Sequence, residues 1–120
     1  MNMDEEVIET IPDKEIIIFG ERSQTVQAEL TIKNICKDRI AYKIRCSSFK
    51  ISISPKIGIL EPEQSCKITL TRNPVENEES AKLLIMVLKI DNSQTNPTMV
   101  WATSEKLPYR KRLKIMLEEE

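Results

Sequence analysis

The chain has no histidine, only two glycines, 4% aromatic residues and three cysteines, and each shortage closes off a class of function. Without His there is no side chain that ordinarily titrates near neutral pH, which removes the commonest general base, the histidine-containing triads and His metal sites. No nucleotide or dinucleotide loop is present. Cys36, Cys46 and Cys66 are odd in number and widely spaced, a pattern of buried or incidental thiols in a reducing compartment, and they lack paired zinc-ligand spacing. Cys46 and Cys66 are expected to pack as small core residues. Cys36, beside Lys37, Asp38 and Arg39 in a turn, is expected to be more exposed, with no activating partner in view. Glu61 and Glu63 flank Pro62 in a turn, while Glu76, Glu78 and Glu79 crowd an acidic loop without the EF-hand pattern. No enzyme activity, cofactor or metal is therefore expected.

Long apolar runs are missing as well. Met1 to Thr10 carries the acidic group Asp4-Glu5-Glu6 and nothing resembling a signal sequence, and no later segment approaches membrane-spanning length. A soluble cytoplasmic protein without direct membrane insertion is expected. Lys and Arg total 18 against 19 Asp and Glu, a net charge of -1, so any electrostatic partner must be met by a local patch. One aromatic, Tyr109, beside the bases Arg110, Lys111, Arg112 and Lys114 forms no interleaved stacking platform, which argues against nucleic acid.

What the chain does have is alternation. With 120 residues and 40% hydrophobic content it is long enough for one domain with a continuous core. Six Pro spread among short β-rich runs point to an all-β sandwich. Glu15 to Phe19 offers a first strand. Ala28, Leu30 and Ile32 alternate with polar neighbours, as do Ile40, Tyr42, Ile44 and Cys46, then Phe49, Ile51 and Ile53, and then Cys66, Ile68 and Leu70. Met99 to Ala102 and Leu113 to Leu117 complete roughly seven strands. Asn73 to Ser80 and Asp91 to Pro97 read as loops. Pro55 and Pro62 lack a backbone N–H, and Gly58 permits geometry closed to bulkier residues, so Ser54 to Pro62 reads as a bent connection.

One strand departs from this pattern. Leu83, Ile85 and Val87 occupy one face of Leu83 to Ile90, while Leu84, Met86 and Leu88 make the other face apolar too.

Several landmarks occur together and in order: Leu30-Thr31-Ile32-Lys33-Asn34, Arg39-Ile40-Ala41-Tyr42-Lys43-Ile44, Pro55-Lys56-Ile57-Gly58-Ile59-Leu60-Glu61-Pro62, Trp101, and Arg110-Lys111-Arg112-Leu113. In these the chain resembles the major sperm protein domain family, over roughly residues 12–117. The resemblance implies a seven-stranded immunoglobulin-like β-sandwich without a disulfide, acting by protein association. It divides the chain into an acidic N-terminal segment (1–11), the sandwich (12–117) and an acidic tail (118–120). Arg39-Ile40-Ala41-Tyr42 and the placing of Trp101 before Arg110-Lys111 are closer to the nematode sperm-specific branch, whose dimers build the filaments of crawling sperm, than to the VAMP-associated branch. With the chain ending at Glu120, no coiled coil or membrane anchor is expected.

The resemblance also makes the candidate surfaces specific. Leu84, Met86 and Leu88 are expected on an outer face, as an interface for a homodimer, filament or other protein partner, or else beneath a loop or the N-terminal segment. The VAMP-associated branch binds acidic FFAT peptides through a Lys two positions before a Met. Here Met86 matches and Leu84 replaces the Lys, with Lys33 and Lys106 as substitute charges near the groove. Arg110, Lys111, Arg112 and Lys114 form a basic patch or a solvated strand edge. Trp101 is expected to be a core or rim anchor. The function expected is a structural module of, or accessory to, a filament-based sperm cytoskeleton, the alternative being a stand-alone acidic-peptide adaptor.

Overall fold

The period-two alternation becomes nine β-strands and one short helix in a computed structural model that describes residues 6–76 and 80–119. In chain order the strands are β1 (Ile8–Ile11), β2 (Glu15–Phe19), β3 (Val26–Asn34), β4 (Arg39–Cys46), β5 (Ile51–Ser54), β6 (Ile57–Leu60), β7 (Ser65–Arg72), β8 (Ala81–Ile90) and β9 (Tyr109–Glu118), with α1 (Pro97–Thr103) between the last two. They form two sheets, ordered β1-β3-β7-β5 and β2-β9-β8-β4-β6. Pairing is antiparallel except between β2 and β9. This is the expected immunoglobulin-like sandwich.

The strand count corrects the expected seven, and two of the differences lie where the chain changes sheets. Ile8–Ile11, assigned to the acidic N-terminal segment, pairs with β3 through Ile8↔Asn34 and Thr10↔Ile32. Ile8 and Thr10 are buried, so Glu9 between them faces water and the strand is amphipathic despite its acidic surroundings. The bent connection Ser54–Pro62 contains β6, which pairs with β4 before the turn at Pro62.

Met99–Ala102 is helical, not a strand. Asn96 accepts the Met99 N–H through its side chain at 3.2 Å and Pro97 occupies the first turn, an N-terminal signature that overrides the apolar run. Asp4, Glu5, Glu78, Glu79 and Glu120, expected in acidic segments, lie outside the described residues.

Between the sheets, Leu30 and Ile32 from β3, Ile68 and Leu70 from β7, and Leu83 and Ile85 from β8 have no exposed surface. Each contributes about 1.5–3 kcal/mol relative to remaining in water. Gly58 has a packing role rather than the conformational one expected. The ring of Tyr42 lies directly opposite it in β4, and a Cβ at position 58 would sit 2.5 Å from the Tyr42 hydroxyl. Asn34, at the end of β3 and fully buried, donates to the carbonyls of Asp38 and Leu60 at 2.9 and 3.1 Å and accepts the Cys36 N–H at 3.0 Å. It thereby ties the β3–β4 turn to β6.

A smaller second core lies outside the sandwich. Val100 of α1 packs on Ala41, Leu88 and Ile90, with Ile59 and Trp101 against them. The helix therefore roofs one half of the outer face of the five-stranded sheet and leaves the other half open.

Candidate protein-interaction surface

The register of β8 places Leu83, Ile85 and Val87 in the core, as expected, and turns Lys82, Leu84, Met86, Leu88 and Ile90 outward. Leu88 is 4% exposed because α1 covers it, so the expected three-residue strip is shortened to the half-buried Leu84 and Met86. Among the described residues that cover comes from a helix, where a loop or the N-terminal segment was expected.

The flanking strands supply charge. Leu84 stands between Arg45 of β4 and Arg112 of β9, Met86 between Lys43 and Arg110, and Lys82 beside Lys114. Directly opposed residues on one sheet face have Cβ atoms about 4.5–5.5 Å apart, so these side chains are neighbours across the face. Long Lys and Arg stems lie well along apolar surface with their charged ends in water, which suits two half-buried apolar residues between rows of bases.

None of these six cations is in an ion pair among the described residues, although Glu15 of β2 stands directly opposite Lys114. The five ion pairs there lie elsewhere: Arg22–Glu119, Lys33–Glu63, Arg39–Glu61, Lys89–Asp38 and Lys111–Asp13. A chain of net charge -1 thus presents one face with a concentrated positive field.

Arg110, Arg112 and Lys114 share this face, but Lys111 points to the other side of β9 and is held by Asp13 at 2.7 Å. The patch also runs along a strand edge: β2 pairs with β9 only from Lys114 to Glu118, so Arg110, Lys111 and Arg112 have β8 on one side and no β2 partner on the other. Lys33 belongs to the opposite sheet and pairs with Glu63 at 3.3 Å, so it is not brought to Met86. Lys106 is exposed beside a groove of about 320 Å³ lined by Leu88, Leu107 and Tyr109, past the end of the strip that α1 covers. Trp101 is partly buried on the second core, as a rim anchor should be.

A second apolar patch, not expected from the sequence, lies on β2. Ile17 and Phe19 of β2 are 53% and 52% exposed next to the half-buried Met116. β2 is an edge strand, and Ile17 and Phe19 point to the outer face of its sheet, opposite the buried Ile16 and Ile18. The run Ile16-Ile17-Ile18 carried the signal, since alternate members of any strand must face opposite ways.

The thiols offer little chemistry. All three are free, half-buried and packed against the core, including Cys36, whose thiol lies 3.0 Å from Asn34 Oδ1. Burial raises the Cys46 and Cys66 thiols above their ordinary value, which keeps them protonated and poorly nucleophilic. Among the described residues no three Cys, Asp or Glu side chains group as metal ligands, and no helix is long and apolar enough to cross a membrane.

The chain is an immunoglobulin-like two-sheet β-sandwich whose five-stranded sheet presents an open, charged outer face. The family model described as "MSP (Major sperm protein) domain" matches residues 7–107, and the chain belongs to that family. No curated protein matches the sequence.

Among solved structures, WR4, a Caenorhabditis elegans member of the family, superposes with a TM-score of 0.80 at 15% identity, covering 94% of this chain and 99% of its own. SSP-19 from the same organism gives 0.78 at 16% identity, over 92% and 98%. A PapD-like domain of human CEP192 gives 0.66 at 12% identity, over 95% and 85%. At these identities the structures establish the shared fold.

Proposed function

We propose that this domain is a non-enzymatic cytoplasmic docking module whose outer sheet face holds an acidic segment of another protein across Leu84 and Met86. The observation that carries this reading is the double row of cations around the strip, none of them in an ion pair among the described residues. Coulombic attraction to such a face speeds encounter and selects against basic partners, and the apolar floor gives the bound segment surface to bury. Leu84 in place of the Lys expected for FFAT recognition matters less in this setting, because Arg45 and Arg112 stand on either side of it. Titration of an acidic FFAT peptide into the protein tests the reading. Saturable binding that weakens with salt supports it, and no binding at low salt rejects it.

A second reading, a subunit or accessory of a filament-based sperm cytoskeleton, draws on family membership and on the exposed Ile17 and Phe19 at the free edge of β2. Two-fold self-pairing through the Leu84–Met86 face is disfavoured, since it opposes like rows of bases. Self-association would then use the β2 edge. Light scattering across a concentration series checks this, with a rising mass expected for a filament subunit and a constant monomer mass for an adaptor.

A further inference from the structure

The flank where β5 hands the chain to β6 carries a second surface. β5 is the last strand of its sheet, paired with β7 on one side only. β6 accompanies β4 as far as Lys43, and one more bond, Ile44 N–H to the Lys56 carbonyl at 2.8 Å, closes that pairing. Beyond it β4 has no β6 partner, and the two sheets end in a shared groove of about 710 Å³. Ile44, Cys46, Ile51 and Ile53 supply its apolar side.

Antiparallel alternation shows which backbone groups of β5 are free. The Asn73 N–H donates to the Lys50 carbonyl, so 50 and 73 are a bonded pair, and by the two-residue period Ser52–Thr71 and Ser54–Thr69 are bonded as well. The N–H and C=O of Ile53 then point away from β7, toward the open edge. The equivalent N–H of Ile51 turns back to the Ser48 carbonyl at 3.4 Å.

Charge adds chemistry to this edge. Lys43, Arg45 and Lys56 line the groove, and among the described residues no carboxylate lines it and none of the three is in an ion pair. Phe49 at the groove is 91% exposed, with Lys50 Nζ 5.6 Å from its ring centroid.

We propose that this groove binds an extended protein segment in which carboxylates alternate with apolar side chains, added as an extra strand on the free edge of β5. Main-chain bonds to Ile53 would fix the register, and the period of two would send apolar side chains to the isoleucine floor and carboxylates to the bases. The site is separate from the outer-face docking proposed above. Lys43 and Arg45 border both surfaces, whereas Ile53 and Lys56 serve this one and Arg110 and Arg112 the other.

Amide exchange followed by NMR on the ¹⁵N-labelled protein tests it, with a capped peptide of four Glu-Val repeats as probe and four Lys-Val repeats as control. Strand addition should slow Ile53 N–H exchange by about tenfold or more at saturation, while Ser52 and Ser54, already bonded to β7, stay unchanged. Lys56→Glu should weaken the probe by about threefold or more. The double variant Arg110→Glu/Arg112→Glu should leave the Ile53 protection in place. Protection confined to the outer face, with Ile53 exchanging as before, would overturn the proposal without touching the outer-face reading. Equal binding of the Lys-Val peptide would overturn the charge argument. Ile53 protection that rises with protein concentration alone would assign the edge to a second copy of the chain instead.

Discussion

Reversing Arg110 and Arg112 to Glu should abolish most of the attraction of the outer face for an acidic segment while sparing the fold. Both side chains are exposed and unpaired among the described residues, so their replacement should change stability by about 0.5 kcal/mol or less. Each sits directly across from a residue of the strip, Arg112 from Leu84 and Arg110 from Met86. An exposed ion pair contributes about 0.2–1 kcal/mol. Exchanging two attractive contacts for two repulsive ones alters four such terms, or about 1–4 kcal/mol, which weakens Kd by about 5-fold to several hundred-fold. The neutral pair Arg110→Gln/Arg112→Gln removes the attraction alone and should lose about half of that free energy. Fluorescence anisotropy with a labelled acidic FFAT peptide, at about 0.05 M and about 0.5 M salt, reads both effects. The order wild type, Gln pair, Glu pair should compress at high salt. Three indistinguishable affinities at low salt would refute the electrostatic argument for this face.

Met86→Glu places a carboxylate between Lys43 and Arg110, and should weaken peptide binding in the same titration while leaving the circular dichroism spectrum unchanged. Identical light-scattering masses for wild type and Met86→Glu at every concentration would show that the strip is not a self-interface. Gly58→Ala drives a methyl group into the Tyr42 ring, which is 3% exposed and has little room to move. Overpacking of about 1–3 kcal/mol should lower Tm by about 4–12 °C, and an unchanged melting curve would mean the two strands separate more easily than their packing indicates. The hydrogen bond from Lys111 holds the Asp13 carboxyl below its ordinary value of 3.8. A depressed carboxyl favours the folded state above the unfolded value, and that contribution is lost as pH falls through the lowered one. A carboxyl-carbon NMR titration should therefore find the Asp13 midpoint below 3.8 in the wild type and shifted upward in Lys111→Met.

Most of the sandwich was legible because a half-buried strand writes its burial into alternate residues. Leu30 and Ile32, Ile40 and Ile44, and Ile68 and Leu70 all face inward as their spacing requires. The failures share a cause, which is that local sequence competed with a contact made elsewhere. Ile8–Ile11 is too short and too acidic in its surroundings to announce a strand, and it forms because β3 offers an open edge. Met99–Ala102 has strand-like apolar content, but the Asn96–Pro97 cap starts a helix and the exposed apolar row on β8 gives that helix something to cover. The candidate surface was half legible. Leu84 and Met86 were found from the doubled apolarity of β8, whereas the cations of β4 became part of the same site only through cross-strand register.

That register also explains how a single fold can carry different partners. Positions pointing inward are constrained on every strand, since each touches the opposite sheet, and a large-to-small change there costs about 2–5 kcal/mol. Outward positions on the five-stranded sheet answer to no such constraint except where α1 lies. The helix shields Leu88 and Ile90 and so fixes where the open part of the face begins, at Met86. Below that point, the residues flanking Leu84 and Met86 come from two strands, β4 and β9, that are far apart in sequence and free to vary independently of the core. The charge of the face is thereby set by Lys43, Arg45, Arg110 and Arg112, none of which lies in the core. A partner is selected by residues whose replacement leaves the sandwich standing, and this is why the charge-reversal variants above separate binding from folding.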